Sequence, residues 1–419
     1  MQVIIAGAGL SGVASAWFLR QAGHEVLVID RGEQAATETS YANGGQISAS
    51  HPEPWSSPAA PRILLRWLGS ADAPMRFQPQ ADPALWRWGL RFLRECAPAR
   101  FAANAHAIAA LAAFSRSTIA ALRAQLHLDY EARQAGILHL FARPAEIAAL
   151  PEKQRLLAAH GIDSECCTPA RCVQIEPALS TLAPHLAGGL YAPQDESGNA
   201  RLFARALAAH CQQAGVRFHF QRTIAAVDGR GVTLAGKDGA PDERLSADAV
   251  VLCAGSFGAA LVRPLGLRLP VYPVKGFSIS APVREASLAP TVSLTDESRR
   301  IVCSRLGDTV RVAGMADIGG FDRTPHPARI ALLRRWLEQT FPGATYSAEA
   351  EAWCGLRPVT PSNRPVIGAS RVPGLWFNTG HGALGFTLSC GAARLLTALM
   401  QGETPPVDPR PFLPASHHV

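Results

Sequence analysis

Two glycine clusters, one arginine and one lysine are the residues of this chain whose type and setting could do chemistry. Gly7-Ala8-Gly9-Leu10-Ser11-Gly12 has the spacing G-x-G-x-x-G. That spacing allows a tight turn at Gly7, close approach of a pyrophosphate at Gly9 and close helix packing at Gly12. Asp30 follows at the distance of about 20 residues where an acid accepts hydrogen bonds from a ribose 2′-OH. Gly380-His381-Gly382-Ala383-Leu384-Gly385 repeats the glycine spacing near the other end. Arg357 offers a planar fork that matches a carboxylate with two parallel hydrogen bonds. Lys275 offers a compact ammonium in an apolar, strand-like run.

These groups need elements to hold them. Residues 2–7 read as a buried strand, 13–21 as a helix closed by Gly23, and 25–30 as a second buried strand. The first glycine cluster thus stands in the strand–turn–helix–strand context that a dinucleotide site requires. Arg31 could mark a 2′-phosphate, but Asp30 would repel one, so a solvated strand-end charge is the plainer reading. Ala247 to Gly255 is a further buried strand, after a hairpin through Gly231 and Lys237-Asp238-Gly239. Gly374 to Thr379 is another, running through the second glycine cluster into a helix from Thr387 to Met400. No acid-tipped strand follows that cluster, so it does not bind a second nucleotide. A helix N-terminus there suits a ring that becomes negative on reduction, as a flavin does around N1 and its C2 carbonyl. A nicotinamide has no such need.

Composition sets the outer limits. The chain has 419 residues, 48% of them apolar and 17% charged, which excludes a disordered chain. Its length suggests two or three domains. Net charge is +7, and only Lys153, Lys237 and Lys275 among the 40 basic residues are lysine. The arginines are scattered, and no nucleic-acid-binding pattern appears, so nucleic acid is a poor partner. The nine cysteines include no C-x-x-C and bring no histidine at ligand spacing, so reduced thiols and no metal are expected. Residues 1–19 lack the basic start of a signal peptide. No run of eighteen apolar residues is seen, and no spanning helix is expected.

Several further stretches carry a family likeness: Glu38-Thr-Ser-Tyr-Ala-Asn-Gly-Gly-Gln-Ile-Ser48, Asp195-Glu-Ser-Gly198, Tyr272-Pro-Val-Lys-Gly-Phe-Ser278, Arg311 to Ala316, Gly355-Leu-Arg-Pro-Val-Thr-Pro361 and Asn378 to Gly382. With the two glycine clusters, they resemble the FAD-dependent amine and D-amino acid oxidoreductases. The likeness runs nearly end to end and is nearest to the bacterial D-amino acid dehydrogenases.

That resemblance implies noncovalent FAD. Gly7, Gly9, Gly12, Asp30 and Arg31 would lie at its ADP half, with Ala254 and Gly255 at the neighbouring strand end. Ser40, Asn43, Gly45 and Gln46 would line the flavin, and Gly382, Leu384, Gly385 and Thr387 would face its pyrimidine end. Cys354 raises covalent attachment but falls one residue short of the expected position. The chemistry implied is hydride transfer from an amino acid α-carbon to flavin N5, leaving an imino acid that hydrolyses to a 2-oxo acid and ammonia. Positioning and charge placement carry most of such a reaction. No Ser-His-Asp constellation is visible in the sequence. Arg357 would bind the substrate carboxylate, Lys275 would stand near flavin N5 or a water, and His381 would touch flavin or substrate.

The fold class expected is α/β. A discontinuous Rossmann-like FAD domain (1–60, 155–265 and 345–419) joins an α+β substrate domain (61–154 and 266–344) built on an antiparallel or mixed sheet. Residues 84–125 read as helical, with Leu85, Trp88 and Phe92 on one face and Arg87, Arg91 and Arg94 on others. Trp55, Trp67, Trp86 and Trp88 crowd the same region. Such a helix either packs over the substrate site or lies on an anionic membrane surface. The resemblance favours a cytoplasmic enzyme held at the inner face of a bacterial membrane, passing electrons to a respiratory quinone. A D-hydroxyproline-like cyclic imino acid substrate and a peroxide-forming oxidase are the alternatives. A flavin-binding subunit without turnover fits poorly with retention of Arg357 and the 380–387 turn.

Overall fold

Short β-branched runs bounded by glycine build the first sheet. Gln2–Ala6, Glu25–Ile29 and Ala249–Leu252 are buried along almost their whole length, as strands covered on both faces must be. The computed structural model describes residues 1–67, 73–236 and 240–419. In it these strands form a six-stranded sheet in the order Val366–Ala369, Leu375–Thr379, Ala249–Leu252, Gln2–Ala6, Glu25–Ile29, Arg217–His219. All neighbours are parallel except the edge strand Val366–Ala369.

Helices Leu10–Gln21, Ala200–Gln213 and Ser389–Gln401 pack into one core cluster on one face. The antiparallel strands Ile224–Asp228, Gly231–Leu234 and Glu243–Ser246 cover the other. The hairpin is as expected; its turn at Lys237–Gly239 lies outside the described residues. The first helix starts at Leu10 rather than Val13, and the last at Ser389 rather than Thr387. Between Gly380 and Ser389 the chain makes a short 3₁₀ turn at Gly382–Leu384 instead of a helical start. Positive φ at Gly380 and Gly382 permits that turn.

The second sheet has nine strands and is mixed, in the order Glu351–Val359, Tyr272–Pro282, Thr309–Ile318, Ile301–Leu306, Ser293–Asp296, Ile137–Phe141, Gly188–Ala192, Glu165–Cys167, with Met75–Phe77 paired to Thr309–Ile318. The alternation read over 266–345 does produce antiparallel strands. Three strands fall outside the segments expected to supply them. Glu165–Cys167, Gly188–Ala192 and Glu351–Val359 belong to this sheet.

The 84–125 stretch is two helices, Pro83–Glu95 and Pro98–Leu126. Proline at the first position of each starts a new helix rather than continuing the old one. Leu85, Trp88 and Phe92 are buried against Tyr272, Val274 and Val359 of the mixed sheet, and Trp88 Nε1 donates to the Val359 carbonyl at 2.9 Å. Pro98–Leu126 is long and apolar enough by length and composition to cross a membrane, with a mean hydropathy of 1.3 in its most apolar window, though polar residues such as Asn104 and Ser115 interrupt it. Half of that window is buried in the protein. Ser115 Oγ accepts from Gly391 N–H at 2.9 Å, and a Cβ at Gly391 would press on Ser115, so the helix packs backbone-close on Ser389–Gln401.

Candidate flavin and substrate site

One cavity of about 1360 Å³ runs between the two sheets and collects most of the expected residues. Gly7 and Gly9 line it where the first strand gives way to the helix. Gly7 has φ +112°, and a Cβ there would sit 2.7 Å from the Cys253 carbonyl oxygen. A Cβ at Gly12 would overlap the Gly7 carbonyl oxygen. Gly12 therefore stays behind the cavity wall and sets the helix against the turn. Gly9 has no side chain to cap the helix; Leu10 N–H donates to Ser40 Oγ at 3.3 Å, and the N–H groups that follow are left to a phosphate.

Asp30 Oδ2 accepts from Ala8 N–H at 2.6 Å and Oδ1 from Gly32 N–H at 2.7 Å. Each carboxylate oxygen keeps a lone pair for a ribose hydroxyl. Arg31 is exposed, as a strand-end charge should be, but it is also partnered. Its guanidinium stacks 3.9 Å from the Phe257 ring centroid and pairs with Glu38 at 2.5 Å. It lines the cavity beside Ala254 and Gly255, as a platform rather than a phosphate clamp.

The middle of the cavity is lined by Ser40, Asn43, Gly45 and Gln46 from one side and Gly382, Leu384, Gly385 and Thr387 from the other. Gln46 Nε2 donates to Leu294 O and Thr295 Oγ1, both at 3.1 Å, which ties this segment to the mixed sheet. Thr387 Oγ1 accepts from Ser48 N–H at 3.0 Å, which joins the two walls. His381 is buried and lines the cavity, and its Nε2 has no hydrogen-bond partner among the described residues. Burial pushes its pKa down to about 4, so the ring is neutral near pH 7.

Arg357 lines the cavity as a cation, as do Arg31, Lys153, Arg155, Arg222 and Arg300. Strand Glu351–Val359 alternates, so Trp353, Gly355 and Arg357 face the cavity while Cys354 faces the other way. Cys354 Sγ donates to Arg323 O at 2.6 Å, away from any flavin. Arg357 NH1 donates to Met315 O at 2.9 Å, and its guanidinium lies 5.8 Å from the Trp55 ring centroid. Among the described residues it has no acidic partner. Burial pushes its pKa down to about 10. Gly276 makes the room, because a Cβ there would overlap the guanidinium.

Lys275 is one position along the same strand and therefore points out of the cavity. Its ammonium pairs with Asp322 at 2.5 Å and is not among the cavity groups. Among the described residues the lysine that lines the cavity is Lys153, paired with Glu53 at 3.0 Å. Beside it, Glu297 Oε1 receives His139 Nδ1 at 3.0 Å and His51 Nδ1 at 3.2 Å. Burial alone would raise Glu297, but His51 and His139 hold it well below the usual carboxylate range. Ser50 Oγ completes a line to His139 Nε2 at 2.8 Å. The buried Ser50–His139–Glu297 line is a serine–histidine–acid arrangement that no sequence spacing announced. Glu53, His51 and Glu297 were also missed; only the rarity of lysine could have drawn attention to Lys153.

The match of the FAD dependent oxidoreductase family model covers residues 2–399. The chain belongs to that family. It is 46% identical over 419 residues to the D-amino acid dehydrogenase of Dechloromonas aromatica (strain RCB), covering 99% of this chain and 100% of that one. It is 45% identical over 404 residues to the D-amino acid dehydrogenase of Paramagnetospirillum magneticum, covering 96% of each. Glycine oxidase from Geobacillus kaustophilus shares the fold at a TM-score of 0.75 and 22% identity, over 98% of both chains. This chain is an FAD-dependent oxidoreductase, and the glycine-led helix N-terminus, the Gly7 and Gly12 contacts and the free His381 Nε2 all fit that cofactor.

Proposed function

We propose that the enzyme oxidises D-amino acids of the D-alanine class to 2-oxo acids and ammonia and passes the electrons to a respiratory quinone. One observation carries the substrate class: Arg357 is half-buried, faces the cavity and has no anion of its own among the described residues. A charge partly withdrawn from water without a partner is costly, and a substrate carboxylate supplies the missing partner through two parallel hydrogen bonds. Trp55, across the cavity from Arg357, gives the α-carbon an apolar wall. Bound FAD supplies the two-electron, hydride-accepting ring. The neutral His381, with Nε2 free, adds a hydrogen-bonding group without adding charge. Lys275, held by Asp322, is assigned no part in the reaction.

The surface supports a peripheral site at the membrane's inner face. Leu65 and Leu90 are each 70% exposed, Trp86 51% and Leu93 50%, on helices Ala60–Trp67 and Pro83–Glu95 that share one core cluster. Arg62, Arg66, Arg87, Arg91 and Arg94 lie among them. Apolar tips set among arginines suit an anionic lipid surface.

Anaerobic titration of the purified holoenzyme with D-alanine, L-alanine and the hydroxyproline isomers, followed by flavin absorbance, tests the reaction. D-Alanine bleaches the flavin and L-alanine does not. Bleaching by a hydroxyproline isomer alone would replace the D-alanine reading with the cyclic imino acid one. Rapid recolouring in air with peroxide would make the enzyme an oxidase.

A further inference from the structure

One loop of the mixed sheet reaches across to the six-stranded sheet. It leaves strand Thr309–Ile318 at Gly319 and Gly320, the latter at φ +87°, where glycine turns the chain without strain. Phe321, Asp322, Arg323 and Thr324 follow. Lys275 pairs with Asp322 and donates to the Thr324 carbonyl at 3.4 Å. Gln80 Nε2 donates to the Gly319 carbonyl at 2.5 Å, and Cys354 Sγ to the Arg323 carbonyl. These bonds hold the loop on the mixed-sheet side, while its side chains meet Arg31, the neighbour of Asp30.

Two contacts make that meeting. Arg323 NH1 donates to both carboxylate oxygens of Glu38, at 3.0 and 2.9 Å, and Glu38 also takes Arg31. One carboxylate thus bridges an arginine that follows a strand of each sheet, and two guanidiniums against one carboxylate leave one positive charge. Phe321 packs on Phe257 with ring centroids 5.6 Å apart, and Phe257 carries the Arg31 guanidinium. Phe321 is 50% exposed, yet it lines the cavity together with Phe257, Arg31 and Asp30. A lone exposed ring is ordinary. A ring set in the wall of a dinucleotide cavity offers a surface on which a base can stack.

We infer that this loop is a clasp on the adenosine end of FAD, with Phe321 a binding residue that covers the adenosine and Arg323 a positioning residue. Arg323 acts through Glu38, which fixes Arg31 beside the ribose site at Asp30. The inference rests on the family's cofactor and is independent of the substrate proposed above. Adenosine is the part of FAD that this end takes, because Asp30 is the acid placed for a ribose, whereas Gln46, Leu384 and Thr387 wall the flavin. The cofactor's adenosine must pass the Phe321–Phe257 pair and the Glu38 bridge to leave, so the clasp slows FAD release. It also joins the two sheets at the one place where both touch the nucleotide end of the cavity.

The test is the rate at which purified holoenzyme releases FAD on high dilution, followed by the rise in flavin fluorescence, with no substrate present. Phe321→Ala speeds release about tenfold, the effect of one lost base–aromatic stack. Arg323→Ala speeds it about threefold at low salt, and the difference from wild type closes at about 1 M salt, because the exposed Arg323–Glu38 pair is screened there. Phe321→Tyr keeps the ring and releases FAD at the wild-type rate. In every variant the flavin still bound keeps its visible spectrum, since the clasp does not touch the flavin ring, and far-UV circular dichroism before dilution matches wild type. Wild-type release rates in Phe321→Ala or in Arg323→Ala overturn the assignment. So does release from Phe321→Tyr as fast as from Phe321→Ala, or a loss of circular dichroism that precedes FAD release, which would make the loop a support of the fold alone.

Discussion

The two ends of the cavity are built on opposite plans. The end at Gly7, Gly9 and Asp30 is made of backbone, and its charged side chains are already held: Asp30 takes two protein N–H bonds and Arg31 is held by Glu38 and Phe257. The end at Arg357 is made of side chains from distant strands, and its groups are left open. Arg357 lacks an anion, and His381 Nε2 lacks a partner. Steric necessity shapes the first end. The second holds unspent interactions, which is where binding energy for a substrate comes from.

Substitutions that fill the first end should act through shape and have the largest effects. Gly12→Val places side-chain atoms into the Gly7 carbonyl, and FAD affinity should fall by about 100-fold or more, measured as FAD retained after gel filtration. Arg357→Lys should keep FAD yet lower kcat/KM for D-alanine about 100-fold, since a point charge replaces a fork. Normal kinetics in that variant would erase the contrast. Gly276→Ala pushes against the guanidinium without removing it, so kcat/KM should fall about tenfold with FAD again retained.

The buried histidines sharpen the contrast through pH. His381 has its folded pKa at about 4 and His417 at about 3, against about 6.5 in an unfolded chain. Above pH 6.5 both states are neutral and neither histidine affects stability. As pH falls below 6.5 the unfolded state takes up protons first, so stability is lost on acidification. His381 alone costs up to about 3 kcal/mol by pH 4. Urea unfolding at pH 7.5 and pH 5 should show that loss, and it should shrink in His417→Gln. The smallest effect belongs to Lys275→Met. It breaks a pair whose Asp322 partner is largely exposed, so turnover should stay within about twofold.

The first end was legible in sequence because glycine spacing follows from local chain geometry. The strand, turn, helix and acid lie within thirty residues and carry their own register. The second end was legible only at Arg357 and the 380–387 turn, through family likeness. Lys275 shows why. It sits in an informative motif, but strand alternation turns it out of the cavity while its neighbour Gly276 turns in. The face follows from the pairing of Tyr272–Pro282 with Glu351–Val359, two strands far apart along the chain. His51, Lys153 and Glu297 meet from three distant segments, and no spacing rule links them. The sheet membership of Gly188–Ala192 and Glu351–Val359 was hidden for the same reason, since they join a sheet whose other members lie far along the chain.

The open charge at Arg357 is the centre of this account, and a substrate pair isolates it. Anaerobic flavin bleaching should be measured with D-alanine and with D-alaninamide, which lacks the carboxylate, in wild type and in Arg357→Leu. Wild type should prefer D-alanine by about 100-fold, and the variant should lose nearly all of that preference because its cost falls only on the substrate that carries the charge. A variant that slows both substrates equally and keeps the preference would show that Arg357 does not hold the carboxylate.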